Sequence, residues 1–124
     1  MHLGDLIQLG VLHTLNLANN ALTGKGMKQL TKLLESPRTN LRRLNISHNQ
    51  IREQEVVALI ASPQAMAGLE MLDVSRNELG VQTGVKLGKM LRSNTTLKAL
   101  NLGWNNIQGQ GLTSIALGLQ HNSR

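Results

Sequence analysis

The stretch Leu97-Lys98-Ala99-Leu100-Asn101-Leu102-Gly103-Trp104-Asn105-Asn106-Ile107 has apolar residues at places one, four, six and eleven, and asparagine at place nine. The same pattern stands at Leu12–Leu22, Leu41–Ile51 and Leu69–Leu79, with successive starts 29, 28 and 28 residues apart. Self-similarity at a fixed period of this length marks a stacked repeat architecture. Places four and six alternate with places three and five, which predicts a short half-buried strand. One such strand cannot bury its apolar face alone. Neighbouring units must supply the missing surface, so their strands join into a parallel sheet. The asparagines Asn20, Asn49, Asn77 and Asn105 stand where the chain leaves each strand. A carboxamide both donates and accepts, so a ladder of them can satisfy backbone groups that the turns leave unpaired.

Beyond each strand the apolar spacing changes. Leu30 and Leu34 with Met27 and Leu33, Leu87 and Leu91, and Ile115 and Leu119 with Leu112 and Ala116 predict amphipathic helices of about ten residues. Gly26 and Gly111 share one repeat place near the helix start, where Glu55 and Thr83 stand in the other units. In the second unit Leu59 keeps its place, but Pro63 takes the next anchor position. The helix there is expected to end near Ala61 or Ser62, with Met66 filling the gap from a longer loop. Ser36-Pro37 reads as a similar stop, ahead of a loop at Arg38-Thr39-Asn40, and both prolines read as helix terminators only. Counting back from Leu12, Leu6 falls on a helical anchor place. Residues 1–11 therefore read as the tail of a preceding unit, before units at 12–40, 41–68, 69–96 and 97–124 of a single domain. Neither end shows the polar cap that a solenoid needs, so the chain reads as a fragment of a longer array.

These four units in register, from Leu12 to about Gln120, resemble the leucine-rich repeat family. The period, with a helix in every unit, looks like the ribonuclease-inhibitor-like subclass. The resemblance implies an α/β leucine-rich repeat solenoid, a right-handed β-α superhelix with a concave parallel sheet and convex helices. Members of that subclass are mostly intracellular and mostly bind proteins through the concave face and its rim. They include inhibitors, GTPase-activating proteins, innate immune sensors and actin or ciliary regulators, and the repeat alone does not choose among them. The asparagine place is never Cys here, whereas ribonuclease inhibitors often alternate the two, so ribonuclease inhibition is not assigned.

Composition agrees with such a frame. The chain has 124 residues, 40% of them apolar, with one Trp and neither Phe nor Tyr. Its core must therefore be aliphatic. The absence of cysteine excludes disulfides and thiolate metal sites, and fits a reducing compartment. The start, Met1-His2-Leu3-Gly4-Asp5, lacks the basic, apolar order of a signal peptide. No apolar run approaches the ~18 residues of a membrane span. A cytoplasmic protein is the expectation. Thirteen Lys and Arg against seven Asp and Glu give a net charge of +6, which favours an acidic partner.

Strand alternation defines the candidate surface. Place three carries Thr14, Arg43, Met71 and Ala99; place five carries Asn16, Asn45, Asp73 and Asn101. Place seven carries Ala18, Ser47, Ser75 and Gly103; place eight carries Asn19, His48, Arg76 and Trp104. Place two adds His13, Arg42, Glu70 and Lys98 at the strand entry. Trp104 is the only aromatic residue and stands on an exposed place, with Arg76 one unit back and His48 the next. Such a pairing suits a protein hot spot. Packing of the indole against the rim or an absent unit is the bland alternative. Asp73, alone among the asparagines of its row, is expected to pair with Arg43 or Arg76, the alternative being to receive a partner's basic group.

Catalysis finds little support. The four histidines, His2, His13, His48 and His121, are scattered, and no metal or cofactor site is indicated. Gly24-Lys25-Gly26 lacks the rest of a phosphate-binding loop and reads as a turn before a helix. Ser47, His48 and Asp73 do not form a triad pattern, because neighbours on a strand point to opposite sides and no oxyanion site is suggested. Asn45-Ile46-Ser47 and Asn94-Thr95-Thr96 match the glycosylation sequon but carry no weight without a secretion signal. The chain is thus expected to be a non-enzymatic protein-interaction scaffold. Its candidate contacts are Trp104, Arg76, His48, Arg43, Asp73, Asn101, Asn45 and Met71. The alternative is electrostatic binding to RNA, lipid head groups or an acidic protein through Lys25, Lys28 and Lys32 and through Lys86, Lys89 and Arg92. That basic charge is patchy and interleaved with no aromatics, which disfavours nucleic acid. A third reading is self-association that buries Leu3, Leu6 and Leu9 or the last helix.

Overall fold

The structure is a computed structural model that describes residues 12–122. The expected tail of a preceding unit, with Leu3, Leu6 and Leu9, lies outside the described residues, as does the C-terminal pair Ser123 and Arg124. Each unit contributes one three-residue strand: β1 (Thr14–Asn16), β2 (Arg43–Asn45), β3 (Met71–Asp73) and β4 (Ala99–Asn101). The strands pair in chain order, all parallel, in one open sheet. Their register aligns equivalent places, as in Leu15 with Leu44, Leu44 with Leu72 and Leu72 with Leu100. The helices are α1 (Thr23–Leu34), α2 (Glu53–Ile60), α3 (Pro63–Met66), α4 (Val81–Ser93) and α5 (Gln110–His121). The fold is an α/β repeat solenoid.

An aliphatic core lies between sheet and helices. Leu44 and Leu72 from the strands, Ile46 and Val74 at place six, and Leu59 and Leu87 from the helices are all 0% exposed. The asparagines stitch the units together along one side of this core. Asn49 Oδ1 accepts from the backbone N–H groups of Asn20 (2.8 Å) and Leu22 (3.1 Å). Asn77 Oδ1 accepts from Asn49 and Ile51, and Asn105 Oδ1 from Asn77 and Leu79. Each of these three amide groups also donates to three backbone carbonyls, two in its own unit and one in the unit before. Buried turns therefore keep their polar backbone paired.

Four expectations are corrected. Residues 63–66 form a short helix, not a loop: Pro63 sits in its first turn, and Ser62 Oγ accepts from Ala65 N–H at 3.2 Å. Proline tolerates that position because its missing N–H would have no partner there. Pro63 thus opens a helix instead of only ending one, and Met66 is 1% exposed within it. Gly24-Lys25-Gly26 belongs to the first turn of α1, not to a preceding turn. The helices run to 12 or 13 residues in the other units, longer than the ten expected.

The fourth correction concerns α5. Its expected anchors Leu112 and Leu119 are 55% and 56% exposed. The buried positions are instead Gly111 and Gly118, with Ser114 and Ile115 half-buried. A Cβ added at Gly84 would overlap the Gly111 backbone, and one at Gly88 would overlap the Ser114 carbonyl. The absent side chains let the backbones of α4 and α5 lie against each other. No described residue covers the leucines on the far side. Asn122 ties the end of this pair together, donating to the carbonyls of Leu91 and Asn94.

Candidate functional site

In-register pairing turns each repeat place into a row across the sheet, with neighbours about 4.8 Å apart. Arg43 and Asn101 are exposed on this face, while Asn45, Met71 and Asp73 are half-buried. Place five braces the strand exit. Asn16, Asn45 and Asn101 each accept through Oδ1 from the N–H two residues on, at 2.9–3.0 Å. That local bond is the reason short polar amides suit turn entries. Asp73 does the same for Ser75 N–H (3.0 Å) and also accepts from Ser75 Oγ at 2.6 Å. Its second oxygen accepts from Asn101 Nδ2 at 3.4 Å.

The expected pairing of Asp73 with Arg43 or Arg76 therefore does not form. Three nearer donors occupy the carboxylate, and Arg76 turns to an aromatic ring instead. Among the described residues the one ion pair is Arg42 Nη1 to Glu70 Oε2, at 3.2 Å. It joins neighbouring residues of the place-two row, a signal present in their opposite signs but missed in the sequence reading. Both side chains are substantially exposed, so its effect on stability is small.

Places seven and eight differ. Ser75 is buried beneath the turn, contrary to the outward direction expected of its row. Place eight swings outward in all four units because its backbone is left-handed. Asn19, His48, Arg76 and Trp104 have φ of +58°, +53°, +55° and +57°. Asn and His enter that region with modest reluctance, but Arg and Trp rarely do, at roughly 1–2 kcal/mol per residue. Bonds to the next unit hold the first three there, and at Trp104 the turn is closed within its own unit by Asn105 Nδ2, which donates to the Leu102 and Gly103 carbonyls. The N–H groups of Asn19, His48 and Arg76 donate to the place-seven carbonyls of Ser47, Ser75 and Gly103 in the next unit, at 2.9–3.0 Å. The following asparagine is fixed in the ladder.

The result is an exposed rim of His48, Arg76 and Trp104, with the indole 80% exposed. Arg76 Cζ lies 5.3 Å from the centroid of the Trp104 ring. A cation over an exposed ring contributes about 0.5–1 kcal/mol and fixes both side chains relative to each other. Arg43 stands in the adjoining place-three row. The left-handed turn that directs the rim leaves no mark in the apolar pattern, and alternation alone could not have found it.

The described residues hold no cluster of three or more His, Cys, Asp or Glu placed to bind a metal ion. None of their helices is long and apolar enough to cross a membrane.

Sheet, helices and asparagine columns define a stacked-repeat solenoid. A model of the leucine-rich repeat matches residues 11–30, 39–53 and 93–116. The protein NLRC5 of Mus musculus is 31% identical over 131 aligned residues, covering 98% of this chain and 7% of NLRC5. The protein phosphatase 1 regulatory subunit 37 homolog of Caenorhabditis elegans is 28% identical, over 89% of this chain and 12% of its own length. Protein CARMIL of Dictyostelium discoideum is 28% identical, over 90% of this chain and 10% of its own length. The chain belongs to the leucine-rich repeat family, and it spans about a tenth of the length of these relatives.

Proposed function

We propose that this chain is a protein-interaction module without catalytic activity of its own. A partner lies along the strand face, concave in this fold, and is anchored at the rim by Trp104, Arg76 and His48. Arg43, Met71, Asn45, Asp73 and Asn101 supply the surrounding surface. The observation that carries the reading is an indole 80% exposed, stacked with Arg76 and held in a backbone conformation tryptophan ordinarily avoids. Backbone strain of this kind persists where surrounding structure over-determines it, and it gathers at functional sites. Trp and Arg lead the residue types that anchor interfaces. Fixing them beforehand lowers the entropy lost on docking. The regulatory subunit among the relatives supports a binding role.

The test compares proteins captured by the native chain, by a Trp104→Ala/Arg76→Ala variant and by a Lys25→Ala/Lys28→Ala control on the outer helices. Partners that bind the native chain and the control, yet lose at least about 2 kcal/mol of affinity for the rim variant, support the reading. An unchanged set of partners and affinities for the rim variant overturns it.

A further inference from the structure

The loss of a leucine anchor in the second unit has a spatial counterpart. The anchor place filled by Leu34 in α1 and Leu91 in α4 is Pro63 here, so α2 stops at Ile60. The short helix α3 makes no close helix contact with α4, so on the side away from α5 the last turns of α4 have no helix packed against them. The space that opens is a groove of about 470 Å3. Ile60, Pro63, Met66 and Met90 form its apolar part, and Lys86 and Lys89 stand at its edge. No carboxylate lines it. Ligand-sized concavities run from roughly 300 to 1,000 Å3 and combine such an apolar lining with a few polar groups.

The neighbouring groove is an internal control. Between α1 and α2 a cleft of about 400 Å3 is edged by Lys28 and Lys32, a similarly basic helix face. There Glu35 and Glu55 line the same cleft, so its charge is balanced within the chain. Ser62 Oγ holds Glu35 in place with a 2.7 Å bond to Oε2. Of the two, the groove beside α4 combines an apolar floor and lysines with no acid of its own.

We propose that this groove is a second docking site, on the helix side, for a partner polypeptide segment that alternates leucine-like and acidic side chains. The apolar side chains enter against Met90 and Ile60, and the carboxylates meet Lys86 and Lys89. Methionine lining suits a segment whose contour is not rigidly specified. The site is independent of the rim at Trp104, so either can fail without the other.

The probe is a fluorescein-labelled peptide, Gly-Leu-Glu-Leu-Glu-Leu-Gly, with companions carrying Gln for Glu and Ser for Leu. Anisotropy titrations and amide chemical-shift mapping are run on the whole chain. Saturable binding is expected, with the largest shifts at Ile60, Lys86, Lys89 and Met90, and weaker binding of both companion peptides. Lys86→Glu with Lys89→Glu should weaken binding about tenfold. Lys28→Glu with Lys32→Glu changes net charge equally and should weaken it less than about threefold. Trp104→Ala should leave it unchanged. Equal losses from the two charge reversals, shifts centred elsewhere, no saturable binding, or preference for phosphatidylserine vesicles over the peptide would each overturn the proposal. The shift map uses the native chain, so the outcome does not depend on any variant folding.

Discussion

Leu72 and Leu100 hold the same place in adjoining units and pair directly across β3 and β4. Leu72 is 0% exposed, while Leu100 is only half-buried. The contrast repeats along the two units: Leu79 and Leu87 are fully buried, Ile107 and Ile115 half-buried. Leu91 is 7% exposed and its counterpart Leu119 is 56% exposed. Sequence pattern is the same in both units, so the pattern does not itself create burial. Burial comes from having a unit on either side, which is why stability in such arrays is a sum over nearest neighbours.

The largest test of that comparison is truncation at the paired leucines. Leu72→Ala should cost about 3–4 kcal/mol in urea unfolding, and Leu100→Ala about half of that. Equal costs would break the comparison. The ladder should follow the same gradient. Asn77→Ala strands the N–H groups of Asn49 and Ile51 in the core and should cost about 2–3 kcal/mol. Asn105→Ala removes a half-buried side chain from the last rung and should cost less, about 1 kcal/mol, by the same measurement.

A smaller effect of opposite sign sharpens the picture. Thr83 is 0% exposed, and its hydroxyl has no hydrogen-bond partner. Thr83→Val removes an unsatisfied polar atom at nearly constant volume and should raise stability by about 1 kcal/mol. At the equivalent face of α5, Leu119→Ser should change stability by less than about 0.5 kcal/mol, since that side chain stands in solvent. A loss of several kcal/mol there, or a strong dependence of stability on protein concentration, would mean that the exposed leucines are covered in solution.

The fold was legible because leucine spacing and asparagine placement are properties of each unit alone. Strand positions, order and parallel pairing follow from them. What was not legible depends on relations between units. Leu112 and Leu119 carry helical spacing like that of Leu87 and Leu91, and only the absence of a described neighbour distinguishes them. The close approach of α4 and α5 was partly readable, since Gly84 and Gly88 are four apart and small residues at that spacing permit backbone contact. Pro63 was read as a stop, although Ser62 before it is a capping residue and proline suits a first helical turn. At the candidate site, alternation places Arg43, Met71 and Asp73 on the strand face. It says nothing of the left-handed turn that presents Arg76 and Trp104, because that turn is closed by backbone carbonyls and ladder asparagines, from the next unit at Arg76 and from its own unit at Trp104. The partner of Asp73 was misjudged on charge alone, when hydroxyl and amide donors lay nearer.

Trp104 is the only tryptophan, so its fluorescence reports on the rim without interference. Acrylamide quenching of the native chain, free and then with a captured partner, tests whether the frame presents the indole as a docking anchor. Quenching close to that of a free indole, sharply reduced once the partner is bound, is the predicted result. Emission shifted to the blue and shielded from acrylamide in the free chain, or quenching unchanged by the partner, would contradict it.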